Sequence, residues 1–90
     1  MQVQRGMVAH SMAGRDKGTV CAVLDYQAPY AWISDGKRRP LERPKKKKLI
    51  HLTPTHTVLP EEAFRSNRAL RRALAGLSRL EGPEKEEADS

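Results

Sequence analysis

The sequence predicts a mainly β fold. Residues 1–57 are expected to form a small, closed or half-closed five-stranded barrel, residues 58–80 a C-terminal α-helical segment packed on it, and residues 81–90 a disordered acidic tail. Three observations carry this expectation. Between positions 7 and 53, short apolar runs alternate with Gly, Pro and Asp-Gly turn residues, the pattern of closely spaced strands. Beyond Thr57 the apolar spacing lengthens to the three and four residues of a helix face. The last ten residues hold five acids, one base, Gly82 and Pro83, with Ala88 as the only apolar side chain.

Each element has a local reason. Residues 7–12 read as a first strand, and 13–18 as a loop bounded by glycine. Residues 19–24 (TVCAVL) are apolar on both faces and β-branched, which suits a buried strand. Gln27-Ala28-Pro29 turns the chain. Residues 30–34 form a third strand, with Tyr30 and Trp32 on one face and Ala31 and Ile33 on the other. Asp35-Gly36 supplies the positive φ angles of a tight hairpin, so 37–41 is expected to return as the fourth strand. Residues 49–53 read as a fifth strand ended by Pro54. Closure of five strands would remove exposed sheet edges. Pro60-Glu61-Glu62 marks a helix start, with acids at the positive end of the dipole. Asn67 is a candidate cap for a second helical segment. Leu70, Leu74 and Leu77 make one apolar stripe, expected to pack on the barrel, while Arg65, Arg68, Arg71, Arg72 and Arg79 spread over the other faces. A chain of 90 residues has room for one small core, so this added burial matters.

The net charge of +6 hides an uneven distribution. Residues 81–90 carry −4, which leaves +10 on residues 1–80. Within these, residues 37–48 hold eight bases (Lys37, Arg38, Arg39, Arg43, Lys45, Lys46, Lys47 and Lys48) against one acid, Glu42, a net of +7 in twelve residues. Such a cluster repels itself on a folded surface, and the cost falls when a polyanion binds. The plain alternative is a solvated loop that aids solubility. Three arginines, and the stiffening of Pro40 and Pro44, favour polyanion binding.

Several function classes are excluded. One cysteine, Cys21, permits neither an internal disulfide framework nor a cysteine-rich zinc site, and its mid-strand position suits a small core residue. No apolar run approaches the ~20 residues of a membrane span, and no signal-peptide core follows residues 1–5, so a soluble, reduced, intracellular protein is expected. His10, His51 and His56 lack ligand-like spacing, so neither metal nor cofactor is expected. There is no nucleophile elbow, no GxxxxGK loop and no pair of carboxylates on a rigid frame, so an enzyme is not expected.

The stretch Arg5-Gly6-Met7-Val8, followed by residues 11–20 (SMAGRDKGTV), resembles a KOW motif. That motif is a strand, a glycine-containing loop and a second strand in an SH3-like barrel, found in ribosomal proteins and transcription elongation factors. Gly14 and Gly18 stand where it requires glycine, which allows a tight turn and close approach of a nucleic-acid backbone. Leu24-Asp25, Trp32-Ile33-Ser34-Asp35-Gly36, Arg38-Arg39, Pro44-Lys45 and His51-Leu52-Thr53 follow the layout of the L-fourteen-e type of large-subunit ribosomal protein. The small bacterial relatives of that type, described as KOW-domain RNA-binding proteins, are closer still. The resemblance covers residues 5 to 57. The four-lysine run and the acidic end are departures from it.

The resemblance implies a cytoplasmic, ribosome-associated RNA-binding protein on an SH3-like barrel, with structured RNA, in particular ribosomal RNA of the large subunit, as partner. It places Gly14, Arg15, Lys17 and Gly18 on RNA, with Asp16 ordering the loop. The bases of residues 37–48 would act by neutralising phosphates. The rival function is a protein-interaction module of the same fold, docking its basic segment on an acidic ribosomal or polymerase partner. Trp32 is expected in the core, with stacking on a base as the alternative.

Overall fold

In a computed structural model, residues 3–12, 14 and 17–81 are described. Strands β1 (Met7–Ser11), β2 (Val20–Gln27), β3 (Tyr30–Ser34), β4 (Lys45–Lys48) and β5 (Leu52–Val58) precede helix α1 (Asn67–Glu81). All pairings are antiparallel, in one sheet of order β4-β3-β2-β1-β5. The sheet is not closed: β4 and β5 remain its outer strands. The chain passes between them through a 3-10 helix, Leu49–His51, whose ends bond elsewhere. Leu49 N–H donates to the Pro29 carbonyl, and the His51 carbonyl accepts from Met12 N–H.

Two apolar clusters lie on opposite faces of this sheet. Ala9, Cys21, Val23, Ala31, Ile33 and Leu52 form the inner one. Val8 and Ala22 form the outer one beneath Leu70 and Leu74, so the leucine stripe docks α1 on the sheet as its spacing predicted. Leu70 is fully buried, a burial that contributes roughly 1.5–3 kcal/mol. Cys21 sits in the inner core, its thiol 3.5 Å from the Ala9 carbonyl, as a small packed side chain. A bulge in β2 shifts the register with β3: Val23 faces Ile33, but Asp25 faces Trp32.

Four local expectations need correction. First, residues 37–41 are not a strand. The Asp35 carboxylate accepts from Lys37 N–H (2.8 Å) and Arg39 N–H (2.9 Å), while the Arg39 carbonyl accepts from Asp35 N–H (3.0 Å) and Ser34 Oγ (2.6 Å). These bonds fold the segment into a closed local loop, and the returning strand is delayed until the lysine run itself.

Second, the fifth strand begins at Leu52 and runs through Pro54 to Val58. Pro54 is tolerated because β5 is an edge strand, paired among the described residues with β1 alone. Third, Pro60 precedes a single 3-10 turn, Glu61–Phe64, rather than a helix of the α type. Fourth, the cap of α1 is Ser66, whose Oγ accepts from Ala69 N–H at 3.0 Å. Asn67 turns outward instead. Its side-chain carbonyl accepts from Leu41 N–H (2.7 Å), and its amide donates to the Glu42 carboxylate (2.9 Å). The acidic tail, 82–90, lies outside the described residues.

Candidate nucleic-acid interface

The glycine loop and the basic segment meet at the start of β2. Both connections leave that end of the sheet, because β1 and β3 flank β2 and run in the same direction. The loop is closed by Gly18 N–H to the Ser11 carbonyl (2.7 Å) and Lys17 N–H to the Gly14 carbonyl (3.2 Å). Gly14 and Gly18 adopt φ of +76° and +85°, which explains glycine at both positions. Lys17 is exposed beside Gly18; Arg15 and Asp16 lie outside the described residues. Gly18, Thr19 and Val20 line a shallow cleft of about 300 Å³ with Asp35, Lys37 and Arg71.

Arg71 is the basic residue that sequence reasoning missed at this position. Its guanidinium reaches the Gly36 carbonyl at 3.3 Å. Gly36 is the reason helix and loop come so close. It sits at φ +75°, and a Cβ there would fall 2.5 Å from the Asn67 carbonyl oxygen. The positive φ is legible in Asp35-Gly36; the approach of a helix some 30 residues downstream is not.

The remaining basic residues divide by exposure. Lys37, Arg38, Arg43, Lys46 and Lys48 are exposed, and Arg39 and Lys45 are half-buried. The half-buried position of Arg39 follows from its main chain, which closes the Asp35 loop. The four-lysine run is a strand, so its side chains alternate. Lys46 and Lys48 pair with Trp32 and Tyr30 on the outer face; Lys45 and Lys47 pair with Ile33 and Ala31 on the inner one. Lys47 is 8% exposed, and its Nζ donates to Ser11 Oγ at 2.9 Å. It is therefore withdrawn from the phosphate-binding set expected from the sequence.

Trp32 is likewise displaced from its expected role. Ala31 and Ile33 occupy the inner core, and Trp32 lies half-buried on the opposite face. There it walls a second cleft, of about 560 Å³, with Tyr26 and Pro44. Beside it, Lys46 Nζ stands 4.4 Å from the centroid of the Tyr30 ring, a cation–π contact. The outer face of β3 and β4 thus alternates aromatic rings with ammonium groups.

Asp25 lines the cleft at Trp32, and Glu42 lies within the basic segment. Asp25 is held below its ordinary value by the Tyr26 backbone N–H (2.8 Å) and then by Arg5 (3.0 Å). Glu42 is held below its ordinary value chiefly by the Asn67 amide. Both anions are partnered, which limits their repulsion of a polyanion. Among the described residues no three His, Cys, Asp or Glu side chains converge as a metal site, and no helix is long and apolar enough to cross a membrane. A scan against protein-family models matches no family, and a search of curated proteins yields no significant match.

Proposed function

We propose that the protein binds structured RNA of the translation machinery, ribosomal RNA of the large subunit, through a basic surface on an SH3-like KOW barrel. The single observation that carries the reading is the meeting of the glycine loop with Lys37 and Arg71 at the start of β2. Two segments read separately as RNA-binding in the sequence converge there, and a helix arginine joins them. A four-strand meander whose fifth strand returns to β1 is the order expected of a half-closed barrel. Exposed cations on a loop and an edge strand suit phosphate neutralisation.

The test is the salt dependence of binding to ribosomal RNA fragments. With five phosphates engaged, log K against log salt is expected to slope by about −4 to −5 on duplex RNA. Replacing Lys37, Arg38, Lys46 and Lys48 with Ala should make that slope shallower by up to ~1 for each phosphate no longer neutralised. An unchanged slope refutes this surface. Recovery from lysate of one protein that resists nuclease, without RNA, refutes the RNA reading itself.

A further inference from the structure

We propose that the cleft at Trp32 receives one unpaired nucleobase of single-stranded RNA, stacked on the indole, with the flanking phosphates on Lys46 and Lys48. The inference rests on the RNA-binding reading and names the substrate class of one part of that surface. Charge alone attracts any polyanion. Trp32 adds a flat apolar surface that a base reaches only when it is out of a duplex.

The local geometry fits that occupant. The cleft, of about 560 Å³, is walled by Trp32, Tyr26 and Pro44 and rimmed by Gln27 and Asp25. The Trp32 ring and a proline supply apolar walls, while Gln27 and Asp25 supply groups for a base edge. Tyr26 N–H, Arg5 Nε and Arg5 Nη2 all reach Asp25 Oδ1, so Oδ2 remains an acceptor directed to neither Arg5 nor Tyr26. A carboxylate oxygen there favours a base carrying an exocyclic amine. Arg5 balances the charge of Asp25, so the acid does not expel the phosphates. The cations stand on the same face: Trp32 pairs with Lys46, and Tyr30 with Lys48. The Tyr30 ring holds Lys46 Nζ beside the cleft.

Trp32 is the only tryptophan of the chain, so its emission reports on the site without any substitution. The probes are an oligocytidylate and an RNA duplex with the same number of phosphates. Oligocytidylate is expected to quench Trp32 emission on binding. Trp32→Leu is expected to weaken oligocytidylate binding by roughly 5- to 150-fold and to leave duplex affinity unchanged. Trp32→Phe, which keeps an aromatic surface, retains most of the single-strand affinity.

Oligocytidylate that binds with unaltered emission overturns the proposal. So does a Trp32→Leu variant that binds oligocytidylate as wild type does, or that weakens both RNAs equally, which marks a structural role. Duplex binding without oligocytidylate binding removes the nucleobase site and leaves the RNA-binding function standing. Failure to bind either RNA removes both.

Discussion

Lys47 Nζ on β4 donates a 2.9 Å hydrogen bond to Ser11 Oγ on β1, two strands beyond its neighbour β3 in the sheet. In a flat sheet those two strands stand about 14 Å apart, farther than a lysine and a serine side chain reach together. The sheet is therefore curled toward its inner face, and Lys47 spans the concave side above the core. Lys47 Nζ also lies 3.6 Å from where a Cβ of Gly14 would stand, so the same ammonium sits close to Gly14.

Lys47 and its neighbours should separate stability from binding. Lys47→Met keeps the side-chain length and removes the bond to buried Ser11, and is expected to cost about 1–3 kcal/mol in chemical denaturation. Lys46→Ala and Lys48→Ala, at exposed positions, should leave stability within ~0.5 kcal/mol while reducing RNA affinity and its salt slope. Equal stability of all three variants would remove the structural role assigned to Lys47.

Gly36 and Gly18 have similar backbone angles and different surroundings. Both sit at positive φ, but a Cβ at Gly36 meets the Asn67 carbonyl and the Arg71 amide, whereas a Cβ at Gly18 would have nothing within 4 Å. Gly18→Ala is expected to cost ~1–2 kcal/mol from the left-handed backbone alone. Gly36→Ala should cost more, because α1 must also retreat. Matching denaturation midpoints for the two variants would contradict the close packing of loop and helix.

Ser66 and Asn67 hold different structures. Ser66→Ala removes the helix cap and is expected to cost ~1 kcal/mol. Asn67→Ala should instead release the basic loop from α1, seen as faster hydrogen exchange at the Leu41 amide that now bonds to its side chain. Faster Leu41 exchange in the serine variant alone would reverse these assignments.

Acid should loosen the same tie. The Asn67 amide lowers the Glu42 pKa from its ordinary 4.5, so the carboxylate gains more in the folded state than in the unfolded chain. The stabilisation is fully present above that ordinary value and is lost as pH falls through the lower folded one. Glu42→Gln cannot titrate there, so its stability should fall less on acidification than that of the wild type. Parallel curves through the acid range would show that the tie carries no proton linkage.

Much of the fold was legible because it depended on local periodicity. The 30–34 strand is found at its expected bounds, and Leu70 and Leu74 bury as their spacing required. The errors fall where two local rules competed. At Asp35 the carboxylate's bonds to Lys37 and Arg39 prevailed over a two-residue hairpin. At Pro54 edge position, invisible in sequence, allowed the strand to continue. In the candidate interface, the exposed residues Lys37, Arg38, Arg43, Lys46 and Lys48 were singled out by charge density, and Lys17 by the resemblance of its glycine loop. Lys47 was not distinguishable from its neighbours, because four identical residues carry no sign of which face the core will take.

Strand and helix periods, turn residues and the +7 segment are properties of neighbouring residues, and the sequence alone determined them. The inward turn of Lys47, the outward placement of Trp32 and the recruitment of Arg71 were settled by the tertiary structure. Each depends on strand register or on the seating of α1 against Gly36, and both arise from packing between residues far apart in the chain.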